Sequence, residues 1–142
     1  MLRLGQRATM AEAALFLSWG TPVRGRELKG LEVFDETLAY WRQLKQEGQI
    51  EDFQIILLGP HGSDLEGFAL LHGTVAQLNE LHADEEYLRL TMMQGLVCES
   101  FRVLRASIGE GLDEQVRVYR DAVARLDRER DEERFGIYPG VE

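Results

Sequence analysis

Three histidines, one cysteine and a few polar residues set inside apolar runs are the only groups through which this 142-residue sequence offers chemistry. His72 closes the run Phe68–His72 (FALLH). An imidazole that titrates near neutrality suits a general base or a hydrogen bond to substrate, and a strand-end histidine satisfied by backbone is the plainer alternative. His61 sits in a Gly-Pro-His-Gly turn and reads as loop chemistry. His82 ends a helical turn, where a cation suits the dipole. No two histidines are spaced as ligands on one helical face, and neither HxH nor HExxH occurs, so no metal site is expected.

Ser18 and Gln54 interrupt two otherwise apolar runs. Polar groups inside a covered sheet need partners, so these two either satisfy each other's surroundings or line a cavity. Arg102 and Arg105 stand an odd number of residues apart on a strand and therefore point to opposite faces. One of them faces an inter-sheet cavity, where a guanidinium would bind a carboxylate, and the other lies among or beyond the helices. Phe16 and Trp19 would supply apolar lining beside these groups. Cys98 follows Leu96-Val97 with no basic residue placed to stabilise a thiolate, and reads as an inert thiol. The glycines form no GxGxxG or P-loop pattern, and no serine lies in a GxSxG elbow. No cofactor is expected. Asp35-Glu36 and Glu85-Glu86 are acidic helix faces.

The elements that must hold these residues follow from hydrophobic periodicity. Ala14–Trp19 is a short apolar strand ended by Gly20-Thr21-Pro22, since proline lacks the donor a ladder requires. Leu31, Phe34, Leu38, Trp41 and Leu44 recur at steps of 3 and 4 and predict one buried helical face, with Gly48 as its stop. Phe53–Leu58 and Phe68–His72 flank a Gly/Pro-rich loop and predict a hairpin. Thr74 with Gln77 forms a capping-box pattern opening a helix whose inner face is Leu78 and Leu81. Asp84 recaps a second piece carrying Tyr87, Leu88, Met92 and Leu96, and Phe101–Ser107 is the last strand. Leu112, Val116, Tyr119, Val123 and Leu126 then form a heptad-like stripe on a charged tail helix, free to pack on its own subunit or on a partner.

This order, β-α-β-β-α-β with an extra C-terminal helix, is the ferredoxin-like arrangement of an α+β fold with an antiparallel sheet. Residues 1–12 read as a poorly ordered extension in which Met10 could be the true start; residues 13–109 form the domain, and 110–142 the helix and tail. Strands one and two are apolar on both faces, whereas a sheet with one wet face alternates. Two helices cover one face only. The other is expected to be covered by a second copy, giving a homodimer through the sheet face, because an exposed face would exceed the few hundred Å² that monomers tolerate.

Charge and composition narrow the partners. A net charge of −9 repels phosphate backbones and anionic lipid heads, so neither nucleic acid nor membrane is expected. Arg24, Arg26 and Lys29 cluster in one loop that reads as solvated. A single cysteine allows no internal disulfide, and a cytoplasmic location is expected. No run approaches the ~20 apolar residues of a membrane span.

With these elements in place, the chain resembles the dimeric α+β-barrel superfamily, whose members include antibiotic-biosynthesis-type monooxygenases, muconolactone isomerases and YCII-related proteins. It is similar, more narrowly, to bacterial proteins with no assigned activity that share a first strand like LFLSWG (Leu15–Gly20), a segment like LLGPHG (Leu57–Gly62) and a passage like FALLHGT (Phe68–Thr74). The resemblance spans about Ala14 to Gly109. It implies two sheets packed face to face and supplies no catalytic residue. Together with the residues above, it points to a cofactor-independent enzyme, monooxygenase- or isomerase-like, acting on a small organic molecule. The site would lie near the Trp19 end of the first strand and the His72 end of the third. The alternative is a non-catalytic ligand-binding or assembly protein.

Overall fold

The computed structural model describes residues 13–136. The extension 1–12 and the start at Met10 lie outside the described residues. Four strands, β1 (Ala13–Trp19), β2 (Asp52–Leu57), β3 (Gly67–Gly73) and β4 (Arg102–Ser107), form one antiparallel sheet in the order β2-β3-β1-β4. Among the described residues four helices accompany them: α1 (Glu27–Gln46), α2 (Val75–His82), α3 (Glu85–Val97) and α4 (Glu110–Phe135). β1 and β2 run parallel with β3 between them, and β3 and β4 run parallel with β1 between them. This is the ferredoxin-like α+β topology that the order of apolar segments predicts.

The core lies between the sheet and helices α1–α3. Leu15, Leu17, Ala69 and Leu71 from the sheet meet Trp41, Leu44, Leu78 and Tyr87 from the helices. The helix starts are built as their residues dictate. Thr74 and Gln77 form a reciprocal capping box, and the Asp84 side chain accepts from the Tyr87 amide to start α3 immediately after α2. Three side-chain ties lock α1 to α3. Tyr40 donates to Asp84, Gln94 donates to the Thr37 hydroxyl at 2.9 Å, and Arg89 pairs with both Glu36 and Glu86.

Two helix faces differ from the periodic reading. On α1 the buried residues are Val33, Thr37, Trp41 and Leu44, while Leu31 is 62% exposed. The inner line instead runs through Val33 and Thr37, the latter tied to α3 by Gln94. On α3 the buried residues are Tyr87, Leu90 and Val97, and Leu88, Met92 and Leu96 face outward. Here α3 must pack on α1 as well as on the sheet, so its inner line is not the most apolar one.

Gly20 explains why the first strand ends as it does. A Cβ there would lie 2.6 Å from the Asp64 carbonyl oxygen and 2.8 Å from that of Glu99. Only glycine lets the β1 exit pass between these two backbone segments, and its amide donates to Glu99 at 2.7 Å.

Helix α4 stands apart. None of its residues is buried, and its main packing is against β4. Of the two arrangements open to the stripe, packing on its own subunit is therefore not the one found.

Candidate functional site

Pairing in the sheet decides which side chains share a face, because residues directly opposite on neighbouring strands point the same way. On the face without helices, three rows cross the sheet. Ile56, Phe68, Ser18 and Arg102 form one; Gln54, Leu70, Phe16 and Leu104 the next; Asp52, His72, Ala14 and Ala106 the third. The centre of this face is apolar, and Phe16 and Phe68 pack there with ring centroids 5.4 Å apart. The polar groups stand at its margins.

Five of the seven residues singled out by sequence, Phe16, Ser18, Gln54, His72 and Arg102, therefore lie on this open face. Trp19 and Arg105 lie on the other. Trp19 packs against the helix-covered core. Arg105 faces Tyr87 and lines an open cleft with Ser107, Glu110 and Glu114 where β4 passes into α4. Trp19 pairs with Gly67, whereas His72 pairs with Ala14. The two are thus about 17 Å apart along the strands as well as on opposite faces. Antiparallel pairing is the reason they do not meet within one chain.

His72 has the most unusual environment. Its Nε2 is shielded from solvent and has no hydrogen-bond partner among the described residues. Buried polar atoms are nearly always paired, and an unpaired one costs free energy. The Asp52 carboxylate occupies the neighbouring position on β2. A hydrogen bond from Lys45 at 2.9 Å, then one from the Phe53 amide, holds Asp52 below the usual carboxylate range, and the nearby His72 acts in the same direction. Ser18, by contrast, is 1% exposed, enclosed by larger neighbours. Arg102 lies about 13 Å from the His72 row along the strands, so one chain cannot bring both onto the same small group.

The remaining candidates are structural. His61 Nε2 is 2.6 Å from the Leu65 carbonyl, and its Nδ1 accepts from the Ser63 amide, which orders the β2–β3 loop. His82 bonds the Leu78 carbonyl at 2.8 Å and packs on Tyr87. Cys98 is half-buried, and that burial pushes its thiol up, away from the thiolate. Of the basic cluster, Arg26 donates to the Leu96 carbonyl at 2.6 Å and Lys29 pairs with Glu32 within α1. Between helices and sheet, Trp19, Phe34, Gln94 and Cys98 border a cavity of about 50 Å³. Ligand pockets measure roughly 300–1,000 Å³, so this one holds no sizeable molecule.

Sequence reasoning overlooked Phe68, Leu70 and Leu104 as members of the open face. The alternation in Gly67–Gly73, small or core-facing residues against Phe68, Leu70 and His72, is the signal that would have found the first two.

No protein-family model matches the chain, and no curated protein matches its sequence. Solved structures do match its fold. A dimeric ferredoxin-like protein of unknown function from Jannaschia sp. CCS1 matches at 16% identity and a TM-score of 0.52, over 68% of this chain and 99% of the other. Hydroxynitrile lyase from Passiflora edulis matches at 16% identity and a TM-score of 0.54, over 70% and 96%. A variant of a cofactor-independent oxygenase from Streptomyces nogalater matches at 12% identity and a TM-score of 0.51, over 69% and 94%. The chain thus shares its fold with these proteins, the first of them ferredoxin-like, as the resemblance implies. Among the described residues no helix is long and apolar enough to cross a membrane.

Proposed function

We propose that the chain works as a homodimer joined through its open sheet faces, and that the space between the two sheets receives a small organic molecule. The shielded, unpartnered Nε2 of His72 on that face is the observation that carries this reading. Once the side chains over it move aside, this ring nitrogen can take or give one proton, or bond one polar atom of a bound molecule, and the apolar centre around Phe16 strengthens that bond by excluding water. Phe16 and Gln54 of the same chain complete the lining beside His72, while Ser18 lies enclosed beneath it and Arg102 is brought near only from the second copy. The reaction best supported is cofactor-independent, of the monooxygenase or isomerase kind. A hydroxynitrile lyase and a cofactor-independent oxygenase built on this fold support an enzyme over a passive module. A reducing, cytoplasmic setting fits the lone, half-buried Cys98.

The test is extraction of protein purified from cells. Denatured wild-type protein should release a small molecule, detected by mass spectrometry, that His72→Ala protein does not. Release of nothing by the wild type, or of equal amounts by both, overturns the reading. The alternative, an assembly protein, draws on a different feature, the exposed stripe of α4.

A further inference from the structure

We infer that α4 is an association arm that pairs along its Leu112–Leu126 stripe with the same helix of a second copy. The helix runs 26 residues, about 39 Å, and none of them is buried. Leu112, Val116, Tyr119, Val123 and Leu126 are all exposed, Tyr119 at 69%. They fall at steps of 4, 3, 4 and 3, the narrow seam of a helix that meets one other helix, not the broader face of one lying on a sheet. The ion pairs of Arg117 with Glu114 and Asp121 occupy the opposite side of the helix. The stripe is therefore the face left for a partner.

Three observations make that partner a second copy. The fold shared with the dimeric neighbour accounts for 99% of that protein but 68% of this one. The share left over is of the size of residues 1–12 and 110–142 together, so the arm is an addition to a body that elsewhere occurs as a dimer. The arm also continues directly from β4, beginning three residues after Ser107. A two-fold contact centred on the Leu104 and Ala106 side of β4 brings two arms together at high effective concentration. Finally, the arm carries nine acidic and six basic residues, a mixed and nearly balanced set within a chain of net charge −9. Asp113, Arg120 and Asp127 flank one side of the stripe, and Gln115, Ala122 and Glu129 the other. Two such arms do not face each other with a single sign of charge.

This inference builds on the proposed sheet-face dimer, and the two can fail separately. A Tyr119→Cys substitution in a Cys98→Ser background places a thiol at the middle of the stripe, with Arg125→Cys on the back of the helix as control. Mild oxidation should link Tyr119→Cys chains into dimers far faster than the control. Val116→Glu with Val123→Glu should raise the dimer dissociation constant about tenfold or more, with the helical circular dichroism unchanged. Crosslinking no faster than the control overturns the pairing. Weakened association without the crosslink places the stripe on the body of the second copy and overturns it too. A wild-type chain that is monomeric at micromolar concentration, yet crosslinks at Tyr119→Cys when concentrated, keeps the arm contact and removes the sheet-face dimer.

Discussion

Phe16 on β1 and Phe68 on β3 pack with centroids 5.4 Å apart and planes tilted by 35°, on the sheet face that no helix covers among the described residues. They sit diagonally across neighbouring strands, one row apart, and form the apolar centre between Ile56, Leu70 and Leu104. A pair of this kind gains about 0.5–1.5 kcal/mol beyond its buried area, and the gain is greatest where water is excluded.

The first prediction concerns that face. Leu104 is 54% exposed in the single chain, so replacing it with Asp leaves the core untouched while placing a charge at the proposed junction. In a Val116→Glu, Val123→Glu background, which disables the arm contact, sedimentation at tens of micromolar should give Leu104 protein near twice 16.2 kDa and Leu104→Asp protein near that mass itself. Equal sedimentation of the two removes the sheet-face dimer.

The second concerns His72. Because Nε2 makes no hydrogen bond within the described residues, His72→Ala should cost the fold little, about 1 kcal/mol and a few degrees in Tm. Loss of the retained small molecule with a near-native Tm is the expected pair of results. A variant that unfolds, or that keeps the molecule, marks the histidine as structural.

The third follows from Tyr40. Burial first, then its hydrogen bond to Asp84, raises the Tyr40 hydroxyl above the usual tyrosine range. The unfolded chain then gives up this proton first, near pH 10. The stabilising contribution is intact below that pH and is lost as pH rises from there toward the folded-state value. Tyr40→Phe should lower stability by about 1 kcal/mol at pH 7 and flatten the decline above pH 10, as read by urea denaturation. A decline of unchanged slope would show that Tyr40 does not govern it.

The fourth separates the two versions of the α1 face. Leu44 is 3% exposed and Leu31 is 62% exposed, although both lie on the periodic stripe. Leu44→Ala should cost about 2–5 kcal/mol. Leu31→Ala should stay within about 0.5 kcal/mol. Comparable losses from both in chemical denaturation would restore Leu31 to the core.

Local chemistry alone determined a large part of this protein. Element order, the Thr74–Gln77 capping box, the Asp84 restart and the turn around His61 all depend on neighbours within a few residues, where hydrogen bonding and backbone freedom act without regard to the rest of the chain. The opposite facing of Arg102 and Arg105 followed in the same way, from the period of a strand. What only the tertiary structure decided is which of two apolar faces is inner, and which residues meet. Leu31, Leu88, Met92 and Leu96 have the right type and period for a core, but all four lie outward once α1 and α3 are packed. Likewise Trp19 and His72 stand at the ends of strands that pair antiparallel, and the register sets them on opposite faces about 17 Å apart. Side-chain type is a local property. Register and helix rotation are set by contacts between segments tens of residues apart, and no periodicity within one segment records them.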